Sequence, residues 1–139
     1  MDNLFIDTNI ALDLLAERYP FYTHAAHLFT LADKGRAELY ISSLCFNNLN
    51  YMLSKQYNRA ASKRILIQFK RLVTVLAVDD KIVNLALNSS FADFEDAIQY
   101  FTTIENKIPF IITRNLKDYK EALIPVMTAE VYLKGIGNE

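Results

Sequence analysis

Three short stretches of this sequence gather oxygen-bearing side chains at the ends of apolar runs: Asp7-Thr8-Asn9, Asp93-Phe94-Glu95-Asp96, and Thr113-Arg114-Asn115 followed by Asp118. Carboxylates and amides delivered from separate elements are what a hard divalent cation requires, with positions left open for water and phosphate. Each stretch also has a plainer explanation. Asp, Thr and Asn are favoured helix caps. Acidic residues in a first helical turn gain about 0.3 to 1 kcal/mol from the helix dipole, and polar residues must follow any buried strand. On a helical wheel Asp93 and Asp96 fall about 60° apart, with Phe94, Ala97, Ile98, Phe101 and Ile104 opposite, so both carboxylates are expected on one polar side.

The chain must bring these stretches together. Leu4-Phe5-Ile6 reads as a buried strand that sets Asp7 at its carboxyl end, the edge of an open α/β sheet where ligands bind. Helices are expected from Asn9 to about Arg18, from Phe21 to Lys34 with Gly35 as its stop, from Leu44 to about Gln56 after a Ser43 cap, and from Arg59 to Leu72. Strands are expected at Glu38–Ser42, Val73–Val78, Pro109–Thr113 and Ile124–Met127. Asp79 caps a helix through Leu87, a loop covers Asn88–Ala92, a helix runs Asp93–Asn106, and Thr128 opens a closing helix that ends by Gly135. This alternation predicts one domain over residues 1–139: a three-layer α/β/α sandwich around a mainly parallel sheet of four to five strands.

Composition agrees with a compact domain. The 139 residues are 52% apolar and 22% charged with only three Gly and three Pro, which excludes a disordered or fibrous chain. No apolar run approaches the roughly 20 residues needed to span a bilayer. The single cysteine, Cys45, has no partner for an internal disulfide, so a reducing cytoplasm is expected. The net charge of −1 argues against indiscriminate nucleic-acid binding. A local basic face is nevertheless legible. On the 59–72 helix Arg59, Lys63 and Lys70 lie within about 40° of one another, opposite an apolar stripe of Ile65, Phe69 and Leu72. It reads either as an ordinary solvated face or as a surface that tracks phosphates. His24 and His27, at i and i+3, lack a carboxylate or thiol at ligand spacing and read as helix surface.

Taken in order, Phe5-Ile6-Asp7-Thr8-Asn9, Ile41-Ser42-Ser43, Asp93-Phe94-Glu95-Asp96-Ala97 and Ile111-Ile112-Thr113-Arg114-Asn115-Leu116-Lys117-Asp118-Tyr119 resemble a PIN domain over nearly the whole chain. The resemblance implies a PIN-like fold and a metal-dependent ribonuclease of the kind found in VapC-type toxins. It also implies Mg²⁺ or Mn²⁺ as cofactor, RNA as substrate, an antitoxin protein as partner and a homodimer; the lack of a long apolar run leads to the expectation of no membrane partner. It makes Asp7 and Asp96 the catalytic and metal-binding carboxylates, with Asn115 as a further ligand and Thr113, Asp93 and Asp118 in support. Arg114, Arg59, Lys63 and Lys70 would position RNA. One departure stands out: the helix after the second strand usually carries a Glu in this family, and by spacing that position is Asn48. An amide brings no charge and accepts no proton, which weakens the expected site and leaves open a binding module that does not cut. An aspartyl-phosphate phosphohydrolase built on Asp7 would want an Asp at position 9, where this chain has Asn, and no Gly-x-Ser-x-Gly elbow exists for a serine hydrolase. Tyr19, Phe21 and Tyr22 are candidates for a partner or dimer surface.

Overall fold

The computed structural model describes residues 1–136. Five strands, β1 (Asp2–Ile6), β2 (Ala37–Ser42), β3 (Thr74–Leu76), β4 (Phe110–Ile112) and β5 (Val126–Met127), form one sheet in the order β3-β2-β1-β4-β5. Every pairing is parallel. The helices are α1 (Thr8–Leu15), α2 (Tyr22–Asp33), α3 (Ser43–Gln56), α4 (Arg59–Lys70), α5 (Asp80–Leu87), α6 (Phe94–Glu105) and α7 (Ala129–Ile136), with a 3-10 turn at Leu116–Tyr119. Among the described residues no helix is long and apolar enough to cross a membrane.

Strand alternation sends side chains to opposite faces, and both faces are covered. Leu4 and Ile6 of β1 join Leu39, Ile41 and Ile112 in a core closed by α1, α2, α3, α4 and α7. Phe5 and Ile111 face the other way, into a cluster with Tyr100 of α6 and Tyr119 of the 3-10 turn. A smaller cluster of Ile82, Ala86, Ala97 and Ile98 fastens α5 to α6. The result is the expected three-layer sandwich with an all-parallel sheet. Central β1 pairs β2 through Asp2–Phe5 and β4 through Leu4–Ile6. The chain winds outward from β1 to β2 and β3, then crosses back to β4 on the other side. This reversal opens a crevice at the carboxyl ends of β1 and β4, beside Asp7 and Thr113.

Several boundaries differ from expectation for local reasons. The first helix stops at Leu15 because Glu17 takes a left-handed φ of 52° and closes a double bond pattern, Glu17 N to Leu14 O and Arg18 N to Asp13 O. Gly35, at φ 72°, ends α2 in the same way, with Arg36 N donating to Leu31 O. β3 is shorter than Val73–Val78 because it is an edge strand whose one neighbour, β2, offers partners only from Tyr40 to Ser42. Ser42, rather than Ser43, sits at the α3 cap position and makes no side-chain cap bond.

α4 packs beside α3 at two levels. Buried Ser62 donates to Asn50 Oδ1 at 2.8 Å, and Phe69 at the far end meets Phe29 and Phe46 with ring centroids 5.6 and 5.9 Å away. Phe69→Ala should therefore lower the unfolding free energy by about 3 to 5 kcal/mol in urea titration, and should loosen α4 before the sheet in hydrogen exchange.

Candidate active site

Asp7 is both a helix cap and the centre of a buried polar knot. Its backbone N–H extends the β1–β4 pairing by donating to Ile112 O at 3.0 Å. The residue is only 5% exposed. Oδ1 accepts from Thr8 N at 2.7 Å, while Oδ2 accepts from the Thr113 hydroxyl at 2.8 Å and the Tyr119 hydroxyl at 3.1 Å. Burial pushes the Asp7 pKa up, the three donors pull it down, and Asp118 pushes it up again. Burial and the neighbouring Asp7 and Asp96 raise the Tyr119 pKa, so its phenol stays protonated and remains a donor. Thr113 is held in turn. Its N–H donates to Met127 O at 3.0 Å, and its hydroxyl accepts from Asn9 Nδ2 at 3.4 Å and from Asn115 N at 3.1 Å.

Opposite Asp7 stands the first turn of α6. Asp93 is the N-cap, its Oδ1 accepting from Asp96 N at 3.0 Å. Asp96 is half-buried and its pKa is pushed up to about 7, first by burial and then by Asp7, Asp93, Asp118 and Glu95. The Glu95 pKa is raised by burial, Asp7 and Asp93 and lowered by a bond from Asn48. That bond runs from Asn48 Nδ2 to Glu95 Oε1 at 3.1 Å and ties α3 to α6. Glu95 is the residue that sequence reasoning passed over, although it lies between the two carboxylates singled out there. It brings a charge beside the amide that stands where the usual Glu would be.

Asp7, Asp93, Glu95, Asp96 and Asp118 thus act on one another electrostatically. Asn115 is exposed at the start of the 3-10 turn and enters the network through its backbone, whereas Asp118 brings charge to it. Arg114, expected to face RNA, forms instead a two-pronged ion pair with buried Asp13, Nε to Oδ2 at 2.7 Å and a terminal nitrogen to Oδ1 at 3.0 Å. It also stacks 4.0 Å above the Phe21 ring. Tyr19 is exposed, and Phe21 partly so. His24 lies 3.7 Å from Glu130, and His27 is at the surface. Arg59 and Lys63 line a groove between α3 and α4 that Lys70 does not reach. Behind the carboxylates, the Thr8 hydroxyl and Gln99 Nε2 both donate to Cys45 Sγ at 2.9 Å, joining α1, α3 and α6 in one buried cluster.

Among the described residues, no three acidic, histidine or cysteine side chains are gathered closely enough to hold an ion as they are oriented. The donor set nevertheless fits a divalent cation. Its donors are hard oxygens, burial and then the neighbouring carboxylates push the Asp96 pKa up to about 7, and Glu95 and Asp96 are accessible enough to turn toward a ligand.

A profile of the PIN domain matches residues 3–117. The chain belongs to the PIN domain family. Solved structures share the PIN fold at low identity. A DNA-bound VapBC from Salmonella typhimurium is 16% identical with a TM-score of 0.70, covering 93% of this chain and 99% of that one. A toxin-antitoxin complex from Klebsiella pneumoniae is 21% identical with a TM-score of 0.67, covering 91% and 97%. VapC20 from Mycobacterium tuberculosis, a toxin that cleaves the sarcin-ricin loop, is 16% identical with a TM-score of 0.62, covering 78% and 86%. No protein with a curated description matches the sequence.

The raised Asp96 pKa gives the PIN domain a pH signature. The folded chain holds a proton up to about pH 7 that the unfolded chain releases near pH 3.9. The stabilisation present below the unfolded value is therefore lost as pH rises through about 7. With chelator present, the melting temperature should fall by about 3 to 6 °C between about pH 4.5 and 7.5, allowing for solvent screening of a half-exposed group. Asp96→Asn should flatten that fall in calorimetric melts, and Mn²⁺ at about pH 7.5 should reverse it in the wild type.

Proposed function

We propose that this PIN domain is a Mg²⁺- or Mn²⁺-dependent endoribonuclease and the toxin of a toxin-antitoxin pair. The observation that carries the reading is the gathering of Asp7, Glu95, Asp96 and Asp118 around a switch-point crevice with no cation among the side chains that perturb them. A divalent ion bound there supplies charge neutralisation at a phosphate and a lowered pKa for attacking water. Asp7 and Asp96 would hold it, with Glu95 and Asp118 adding charge.

The chain's own groups do the rest. Thr8, Thr113 and Tyr119 fix the Asp7 carboxylate in place, so one ligand is oriented before anything binds. Asp93 orders the first turn of α6 and thereby the backbone that carries Asp96. Asn48 holds Glu95 toward the cluster. The antitoxin partner is supported by neighbours of the same fold that were solved as VapBC and toxin-antitoxin complexes. A homodimer belongs to the same proposal. The second reading, a PIN module that binds without cutting, draws on Asn48 in place of a carboxylate.

Calorimetric Mn²⁺ titration at neutral pH separates the two. The wild type should bind, Asp96→Asn should lose binding, and Glu95→Gln should bind about tenfold more weakly. Asp7→Asn and Asp96→Asn should each lower Mn²⁺-dependent cleavage of single-stranded RNA by at least a hundredfold. A wild type that binds no Mn²⁺ and cleaves nothing would leave the binding module standing.

A further inference from the structure

α3 and α4 enclose an open groove of about 530 Å³ whose walls carry Lys55, Arg59, Lys63 and Tyr51, with Asn48 also in its lining. We propose that this groove is the entry track for single-stranded RNA, its cations contacting successive phosphates and Tyr51 stacking on a base. The proposal rests on the ribonuclease reading above for the identity of the nucleic acid, and on this groove's own features for the rest.

Charge is the first of these. Three cations line the groove and no carboxylate does, in a chain whose net charge is −1. Among the described residues, none of the three is in an ion pair. Arg59 and Lys63 are one turn apart on α4, about 6 Å between their Cβ atoms, and Lys55 faces them from α3. Such a row neutralises a backbone without reading its sequence.

Tyr51 is the second. The residue is 60% exposed, with Lys55 Nζ 4.8 Å from the ring centroid and 3.1 Å from the hydroxyl. An aromatic held at the edge of a cationic groove is the stacking platform that single strands use, and it tolerates any base. Helices packed about 8 to 10 Å apart leave no room for a duplex between them, and a stacked base must be unpaired. The other lining side chains are Asn and Ser, without the aliphatic anchor that a protein partner would bury.

Continuity is the third. Asn48 lines the groove and donates to Glu95, so a strand lying along α3 and α4 passes within one side chain of the carboxylates. The bond between Ser62 and Asn50 fixes the floor between the two helices.

The test is fluorescence anisotropy with a fluorescein-labelled single-stranded RNA about 12 nucleotides long, in EDTA so that no cleavage intervenes. The proteins are the wild type, Tyr51→Ala, the triple variant Lys55→Gln/Arg59→Gln/Lys63→Gln, and Lys34→Gln as a charge removal outside the groove. All these positions are exposed, and circular dichroism of each variant is compared with the wild type before binding is measured. The triple variant should lose at least tenfold in affinity, and the slope of log K against log salt should shrink by about 2, at about 0.7 per phosphate contact. Tyr51→Ala should lose about tenfold with an unchanged slope. Lys34→Gln should match the wild type, and the same sequence as a duplex should bind more weakly than the single strand. Equal binding by wild type and triple variant, an unchanged slope, or displacement of the RNA by a poly-glutamate peptide at equal charge concentration would overturn the proposal. Mn²⁺-dependent cleavage is measured separately. Groove-dependent binding without cleavage sinks the ribonuclease reading alone, and cleavage with an unaltered KM in the triple variant sinks the groove alone.

Discussion

An aspartate with 5% of its surface exposed has to be compensated by donors, and the compensation of Asp7 organises the functional end of this molecule. Burying an ionised carboxylate without partners costs several kcal/mol. Asp7 meets that demand with a backbone amide from α1, a hydroxyl from the end of β4 and a phenol from the 3-10 turn. The end of β4 and the 3-10 turn, more than 100 residues along the chain, are therefore locked to the junction of β1 and α1 through one side chain. The crevice where the sheet reverses direction is rigid on that wall, because loosening any of the three segments would leave charge unpaired. The α6 wall differs: Glu95 and Asp96 are half-buried, take no comparable set of donors, and carry the repulsion that the fixed wall generates.

Much of the scaffold was legible in the sequence because it rests on local signals. The apolar run Leu4–Ile6, the Gly35 stop and the Asp79 cap each act within a few residues. The structure has helices and strands at each of them. The extent of β3 was overestimated because an apolar run records burial, whereas strand length at a sheet edge depends on how much of the neighbour is available. The 3-10 turn at Leu116–Tyr119 had no periodic signal, and with it the Tyr119 hydroxyl was missed as a partner of Asp7.

The site was legible in part for the same reason. Asp7 stood out at a strand end and Asp93 and Asp96 on one side of a helical wheel, whereas the choice of Asp96 over Asp93 came from the PIN resemblance. Arg114 looked like a free cation, because its partner Asp13 lies 101 residues away and nothing local announces the pair. Glu95 was passed over because a wheel drawn on α6 favours Asp93 and Asp96. Once Asp93 turns back to cap Asp96 N, it is Glu95 that meets α3. Pairings across elements are set by tertiary packing, and they decide which of several neighbouring polar residues belongs to the site.

The bond between Asn48 and Glu95 bears on how such chains are classified. A comparison that judges this domain by the residue at position 48 alone would count the site one charge short. The structure has a carboxylate on the adjoining helix, held by the very amide that marks the apparent loss. On the proposed reading, a census drawn up column by column would overlook acidity that a neighbouring helix supplies. Sorting such chains correctly takes a tally of charge within the crevice, whichever helix supplies it.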